Sequence, residues 1–385
     1  MNNFSFENQT RIHFGEGQIS AITGEIPSDA KVLVVYGGGS IKSNGVYDQV
    51  VSALKDNTWF EFSGIEPNPK YDTLIKALPL IKQHGIDYIL AVGGGSVVDG
   101  CKFIAAAALF AGDDPWDIVA KQAKIEAALP IGVVLTLPAT GSETNIGSVV
   151  TRNGTKLPFM DPLVRPQFAV LDPAVTLSLS DRQISNGVVD AFIHTMEQYL
   201  TYDVKGKVQD RFAEGLLQTL IEEGPKALAE ETKTDLDVRA NIMWSATMAL
   251  NGLIGSGVPQ DWSTHMIGHE LTGEHEIDHA RTLSIVLPAV MKVCQQAKQG
   301  KLLQYAQRVW HITEGSDDQK IAQAIKLTED FFQSMGMPIR LSDVDLNESN
   351  IDCLVKRLEQ HGMTALGENK DITLDVSRQI LQQAI

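Results

Sequence analysis

Residues 87–110 read DYILAVGGGSVVDGCKFIAAAALF. A short β-rich apolar run leads into three glycines and a serine, and a longer apolar run follows at helical length. This order is typical of a buried strand that turns directly into a helix. The stretch KVLVVYGGGS (31–40) has the same design. Two strands that each end in glycines predict a parallel sheet with helical crossovers.

The rest of the first 177 residues continues the alternation of strands and helices. Further β-rich runs lie at 58–64, 131–143, 148–162 and 167–173, and helical spacing lies at 45–54 and 71–84. From about residue 178 onward the sequence shows long helical periodicities and almost no β-rich run. We therefore predict an α/β domain with a parallel, Rossmann-like sheet (1–177) and an all-helical domain (178–385).

The glycine loops at 37–40 and 93–96 are candidate phosphate sites. Backbone amides at the start of a helix can approach a phosphate closely where no Cβ atoms intervene. A plain tight turn is the alternative for either loop, and neither loop has the G-x-G-x-x-G spacing. The first loop carries no acidic side chain that would bind an adenosine ribose and repel a 2′-phosphate. Gly38 and Ser40 instead leave room and donors, which favours NADP over NAD.

Asp190 and His194 are four residues apart in the helical stretch NGVVDAFIHTMEQY. They share one helix face, and their apolar neighbours predict that both are buried. A buried carboxylate needs a partner, so the pair indicates either a metal site or a hydrogen bond within the core.

Four of the nine histidines fall within HMIGHELTGEHEIDH (265–279). His265 and His269 form a second pair at helical spacing, and Gly273 is predicted to end that helix. Asp190, His194 and two of the later histidines would form a site of three nitrogens and one carboxylate. Such a site suits Zn²⁺ or Fe²⁺ and leaves a position open for an oxygen ligand.

The last five letters, HEIDH, match the H-E-x-x-H pattern of zinc proteases. That pattern needs one uninterrupted helix, and Gly273 lies two residues before it. It also leaves both glycine loops unexplained. We therefore do not interpret the segment as a protease motif.

The composition disfavours several kinds of partner. The net charge of −16 disfavours nucleic acid and anionic membranes, and no apolar run approaches the roughly 20 residues that span a bilayer. The N-terminus lacks the pattern of a signal peptide, and the three cysteines are too far apart to suggest a disulfide framework. We expect a cytoplasmic protein.

The whole chain resembles the iron-containing (group III) alcohol dehydrogenase family, in particular its branch of NADP-dependent aldehyde reductases and butanol dehydrogenases. The motifs that carry the resemblance are EPNP (66–69), AVGGGSVVDG (91–100), TLPATGSETN (136–145), NGVVDAFIHTMEQY (186–199) and GVPQDWSTHMIGHELTGEHEIDHARTLSIVLP (257–288). The family's fold pairs an N-terminal nucleotide domain with a C-terminal helical domain, and its active site lies in the cleft between them.

The resemblance implies a role for individual residues. The implied metal ligands are Asp190, His194, His265 and His279. The implied contacts to NADP(H) are Gly37, Gly38, Gly39, Ser40, Asn68, Gly94, Gly95, Ser96, Asp99, Thr136, Thr140 and Lys156. The candidate catalytic residues are His269, which lies by the metal in the family without binding it, and Asp99. Many relatives have an Asp where Gly38 lies, and a proline near Ser180 is absent here.

The sequence thus predicts a metal-dependent alcohol dehydrogenase, working mainly as an NADPH-dependent reductase of small aldehydes and expected to be a homodimer. A lyase of the dehydroquinate synthase type and an enzyme of the glycerol dehydrogenase type are the alternatives on the same fold. The lyase would need a strongly basic pocket, yet Arg281 is the one cation in residues 257–288. A binding module without catalysis is disfavoured because all four implied ligands are present.

Overall fold

A computed structural model describes all 385 residues, which form two compact units. The sheet unit comprises Glu7–Leu179 and Thr234–Met243, and the helical unit comprises Met1–Phe6, Ser180–Lys233 and Trp244–Ile385. The predicted domains, 1–177 and 178–385, are each one continuous range. In the structure two short segments belong to the other unit, because Met1–Phe6 lies in the helical unit and Thr234–Met243 lies in the sheet unit. The backbone N–H of Asn2 donates to the carbonyl of Gly257 (2.9 Å), and the Arg239 guanidinium donates to the carbonyl of Thr176 (3.4 Å).

The sheet unit contains a six-stranded parallel sheet, which confirms the predicted fold class. Its strands lie in the order β1-β8-β5-β4-β2-β3. The strands of the unit are β1 (Arg11–Phe14), β2 (Lys31–Tyr36), β3 (Thr58–Phe62), β4 (Tyr88–Gly94), β5 (Ile131–Leu137), β6 (Gly147–Arg152), β7 (Thr155–Met160) and β8 (Phe168–Leu171). The edge strand β1 was not predicted from the sequence.

The strands β6 and β7 lie outside this sheet, although the β-rich run at 148–162 predicts a further strand within it. They pair with each other as an antiparallel hairpin. The connecting residues Asn153 and Gly154 both have positive φ (51° and 75°), as a two-residue hairpin turn requires. This turn reverses the chain direction after β6, so residues 148–162 form a hairpin and do not add a strand to the parallel sheet.

Helices cover the sheet on both faces. They are α1 (Ile22–Glu25), α2 (Ser40–Ser43), α3 (Val46–Ala53), α4 (Tyr71–Leu74), α5 (Ala77–His84), α6 (Gly95–Ala108) and α7 (Asp117–Ala120). The single helix predicted at 71–84 is wrong, because α4 and α5 are separate. Pro79 has no N–H for the carbonyl of Ile75, so it is tolerated only in the first turn of a new helix.

The strand order places the two glycine loops side by side. The neighbours of β2 are β3 and β4, and those of β4 are β2 and β5. The chain therefore leaves β2 in one direction and β4 in the other, which makes a topological switch point. Gly37–Gly39 follow the carboxyl end of β2, and Gly93–Gly95 form the carboxyl end of β4 and the first residue of α6. Ligands of open α/β sheets bind at this place.

The helical unit contains the remaining helices and confirms the predicted all-α C-terminal fold. They are α8 (Asp181–Tyr199), α9 (Lys207–Lys226), α10 (Leu236–Ala249), α11 (Ser263–His275), α12 (His279–Val293), α13 (Gln295–Arg308), α14 (Asp317–Ser334), α15 (Ile351–Gln360) and α16 (Leu374–Gln383). The first part of α10, through Met243, belongs to the sheet unit. The two-residue strands β9 (Ala365–Leu366) and β10 (Ile372–Thr373) form one small ladder. Within the whole chain, no helix has the length and apolar character needed to cross a membrane.

Candidate metal centre and nucleotide loops

The helix α8 presents the first two predicted ligands from the interior of the helical unit. It begins with a capping box in which Ser180 and Gln183 satisfy each other's backbone amides, so a proline at this point is unnecessary. Every residue from 187 to 199 is buried. Asp190 and His194 are 3% and 5% exposed and lie one turn apart, which confirms their predicted burial.

The helices α11 and α12 present the later histidines. Gly273 does not end α11, contrary to the prediction. The helix continues to His275 and ends where Glu276 adopts a left-handed conformation (φ 54°). The next helix, α12, begins at His279. The HEIDH letters therefore span a helix end, a loop and a helix start, which excludes the protease arrangement.

One carboxylate oxygen lies at the centre of the histidine cluster. Asp190 Oδ1 is 3.8 Å from His194 Nδ1, 4.0 Å from His265 Nε2 and 3.9 Å from His279 Nε2. These separations are too long for hydrogen bonds. The oxygen is buried and makes no hydrogen bond, so Asp190 is not paired with His194 in the way that the core alternative required.

The spacing of these atoms fits a divalent ion. Asp190, His265 and His279 each offer a ligand atom within 4.8 Å of the other two. Ligands about 2.1 Å from a tetrahedral metal lie roughly 3.4 Å from one another, so the cluster needs only a small contraction to hold one ion. His194 lies beside this group, its ring stacked on that of His265 with centroids 4.6 Å apart.

His269 and His275 take different positions, although both lie on α11. The ring centroid of His269 is 5.0 Å from that of His279 and 6.2 Å from that of His265. His269 thus lies next to the cluster. His275 is the last residue of α11, half-buried, and burial lowers its pKa.

A buried carboxylate that the sequence does not predict, Glu197, lies behind the cluster. Glu197 binds Nδ1 of His265 through Oε2. Burial, followed by the nearby charge of Asp261, raises the pKa of Glu197 well above its usual range. The signal was present in the motif, because Glu197 follows Asp190 by seven residues and so continues the face of α8 that carries Asp190 and His194. Trp262, also missed, packs its ring 5.2 Å from that of His265.

The loop after β2 is open around Gly38. A Cβ atom at Gly38 or Gly39 would meet no atom within 4 Å, and Gly39 has a positive φ of 96°. The fold itself therefore gives no steric reason for a glycine at 38. Ser40 begins α2 directly after this loop.

The loop after β4 is closely packed. A Cβ atom at Gly93 would lie 2.5 Å from Val97, and one at Gly95 would lie 2.5 Å from Thr140. Gly94 precedes α6 without a capping side chain, so the first amides of this 14-residue helix are available to an anion.

Several predicted cofactor residues meet at the start of α6. Ser96 Oγ accepts a hydrogen bond from the backbone N–H of Asn68 (3.3 Å), and the Thr140 side chain packs on Gly95. Thr136 lies at the end of β5, the strand beside β4. Lys156 lies on the hairpin strand β7.

Asp99, on α6, accepts hydrogen bonds from the segment that follows β5. Its Oδ1 accepts from Ser142 Oγ (2.6 Å) and its Oδ2 from the backbone N–H of Val149 (2.9 Å). Burial raises its pKa. One turn away, the buried Lys102 donates to Asn145 Oδ1 (2.9 Å) and to the carbonyl of Gly147 (2.7 Å). These contacts tie α6 to the 140–149 segment, and the catalytic role of Asp99 stays a prediction.

Comparison with known families covers nearly the whole chain. Residues 9–173 match the model of the iron-containing alcohol dehydrogenases, and residues 184–384 match the C-terminal model of the Fe-containing alcohol dehydrogenase family. The chain belongs to the iron-containing alcohol dehydrogenase family. The predicted family and its oxidoreductase class are confirmed.

Individual members of the family are similar over their full length. The NADPH-dependent aldehyde reductase YqhD of Escherichia coli (strain K12) is 58% identical, with 100% of both chains covered. A probable NADH-dependent butanol dehydrogenase 1 of Bacillus subtilis (strain 168) is 39% identical, again over 100% of both. Among solved structures, YqhD of E. coli K-12 matches with a TM-score of 0.98 at 57% identity, covering 100% of this chain and 99% of that one. The NADH-dependent butanol dehydrogenase A of Thermotoga maritima matches with a TM-score of 0.94 at 36% identity, covering 100% and 99%.

Proposed function

We propose that the protein is an NADPH-dependent aldehyde reductase that uses one divalent metal ion, Zn²⁺ or Fe²⁺. Its substrates are small aldehydes, and primary alcohols in the reverse direction. The observation that carries the proposal is the buried Asp190 Oδ1, which has no hydrogen bond and faces three imidazole nitrogens at 3.8–4.0 Å. The homodimer and the cytoplasmic location stay predictions.

The donor set supports this chemistry. Asp190, His194, His265 and His279 would hold the ion, and three imidazoles with one carboxylate suit either metal. When bound, the ion would act as a Lewis acid on the substrate carbonyl while NADPH supplies the hydride. Asp190 is the single acid among these four residues, so the loaded site would keep a positive charge. That charge favours the negative charge that develops on the substrate oxygen.

The preference for NADPH rests on the loop after β2, because relatives named for NADPH and for NADH both match the chain. The amides at the start of α6 suit the diphosphate of either cofactor. The open space around Gly38 and the hydroxyl of Ser40 suit the additional 2′-phosphate. The absence of an acid at Gly38 removes the group that would repel it.

His269→Ala should lower turnover about tenfold while one metal ion per chain is retained. The imidazole lies beside His279 and His265 and can deliver a proton to the reduced oxygen directly or through water, a contribution typically worth 10²–10⁴-fold and less where water can substitute. The measurements are kcat for butanal reduction at several pH values and the metal content. His275→Ala, on the same helix, is the matched control and should keep its turnover. A kcat for His269→Ala equal to that of the parent across this pH range removes His269 from the mechanism.

The proposed reaction is tested by following NADPH oxidation with butanal. We expect rapid oxidation that depends on the aldehyde, and no turnover of a phosphorylated polyol acid, the type of substrate that the lyase alternative requires. Arg281 is the one cation in residues 257–288, and its guanidinium donates to the carbonyl of Gly336 (3.2 Å). Turnover of the polyol acid without NADPH oxidation would refute the reductase function.

A further inference from the structure

Glu197 lies behind His265, on the side of the ring away from Asp190. It is 2% exposed and follows Asp190 and His194 on the same face of α8. Its Oε2 binds Nδ1 of the His265 ring, whose other nitrogen, Nε2, lies 4.0 Å from Asp190 Oδ1. The His265 imidazole therefore lies between the two buried carboxylates of α8, Asp190 and Glu197.

The same carboxylate fixes the backbone of His265. Glu197 Oε1 accepts from the amide of Thr264 (2.7 Å) and from that of His265 (3.4 Å). These amides lie in the first turn of α11, where helical partners are missing and where Trp262, the residue before the helix, supplies no capping side chain. Asp261 completes the cap by accepting from the amide of Ser263 (2.9 Å). Both the ring and the main chain of His265 are thus held by Glu197.

A buried cation supports this acidic cap. Lys298 is 5% exposed, and its Nζ lies 2.8 Å from Asp261 Oδ2 and 2.9 Å from Glu368 Oε2, and it also donates to the carbonyl of Leu200 (2.8 Å). The backbone N–H of Asp261 in turn donates to the carbonyl of Glu197 (2.9 Å). Buried carboxylates persist when they are paired and hydrogen-bonded, so the contacts of Lys298 hold Asp261, and with it the cap, in place.

We propose that Glu197 is the positioning residue of the metal site: it holds the His265 imidazole in the tautomer with the proton on Nδ1. The lone pair of Nε2 then faces Asp190, in the direction a metal ligand requires. This inference rests on the proposed metal site. A carboxylate behind a metal-binding histidine typically contributes 10–100-fold to metal affinity.

The decisive variant is Glu197→Gln. Its amide oxygen can still accept from Thr264, but its NH₂ group faces Nδ1 and favours the opposite tautomer. We expect Zn²⁺ affinity, measured by chelator competition on the metal-free protein, to fall about 10–100-fold. Glu329→Gln is the matched control, since Glu329 is buried and its partners are Lys292 and Arg340. It should keep the parent affinity.

A second measurement uses the unaltered chain, in case Glu197→Gln does not fold. Imidazole ¹⁵N NMR of the metal-free protein should show the His265 proton on Nδ1, with the signals assigned by their loss in His265→Ala. A proton on Nε2, or a Glu197→Gln affinity within twofold of the parent, overturns the role of Glu197. Asp190→Ala distinguishes the proposed role of Glu197 from the proposed metal site itself. If it loses Zn²⁺ while Glu197→Gln does not, the role of Glu197 alone is refuted, and if both variants keep full affinity, the metal site is refuted as well.

Discussion

Asp190→Ala should bind Zn²⁺ a few hundredfold to a few thousandfold more weakly than the parent protein, and aldehyde reduction should fall with it. Asp190 is the one charged group among the four proposed ligands, and its Oδ1 is the atom that the three histidines surround. Losing one partner of a buried charged pair costs about 3–5 kcal/mol, and each 1.4 kcal/mol is a factor of ten in affinity. The measurement is a Zn²⁺ titration by chelator competition, with the melting temperature of the metal-free variant as a check on folding.

The histidine variants complete this test, because they decide which members of the 265–279 cluster bind metal. His265→Ala should lose metal as Asp190→Ala does, while His275→Ala should keep one ion per chain. His275 is a close control, because it lies on the same helix as His265 but is not one of the residues grouped around the Asp190 carboxylate. Full metal content in His265→Ala together with metal loss in His275→Ala would contradict the assignment.

Gly38→Asp should shift the preference from NADPH toward NADH. The new carboxylate would lie where the 2′-phosphate is expected, and like-charge contact with loss of amide access costs on the order of 1–3 kcal/mol, or roughly tenfold to a hundredfold in the ratio of kcat/KM values. The same carboxylate can bind the two hydroxyls of the adenosine ribose of NADH, so NADH use should rise in parallel. The fold accepts the change, because a Cβ atom at Gly38 meets no atom within 4 Å and the residue has no positive φ.

The measurement is kcat/KM for NADPH and for NADH with butanal, in the parent and in Gly38→Asp. Gly24→Asp is the matched control: it adds the same charge to the sheet unit at an exposed glycine with equally open space. Its cofactor ratio should not move. A parent protein that prefers NADH, or a Gly38→Asp variant with an unchanged ratio, would refute the assignment of the loop.

The sheet was predictable where strands are buried on both sides. In β2, successive residues such as Val34 and Val35 pack into the cores on opposite faces of the sheet, so the strand reads as an unbroken apolar run. The edge strand β1 was missed because its four residues, RIHF, are at most partly buried and form no such run. The break between α4 and α5 could have been predicted from Pro79.

The site was predictable where its residues share one helix. Asp190 and His194 are four residues apart within an apolar stretch, and this spacing predicts that both are buried on one helix face. The structure confirms their burial. Glu197 was overlooked because its partner His265 is 68 residues away on another helix, a contact that only tertiary structure reveals. The end of α11 was misjudged because glycine is also tolerated inside a helix at a cost of about 1 kcal/mol, and the left-handed Glu276 ends it instead.

The central claim is that this chain reduces aldehydes with NADPH through one divalent ion held at Asp190. It is tested most directly by initial rates of NADPH oxidation with butanal before metal removal, after removal with a chelator, and after reloading with one equivalent of Zn²⁺ or Fe²⁺. We predict that the aldehyde-dependent rate disappears on stripping and returns with one ion per chain, and that Asp190→Ala does not recover. A full rate in the stripped protein, or no aldehyde-dependent oxidation of NADPH with the ion bound, would contradict it.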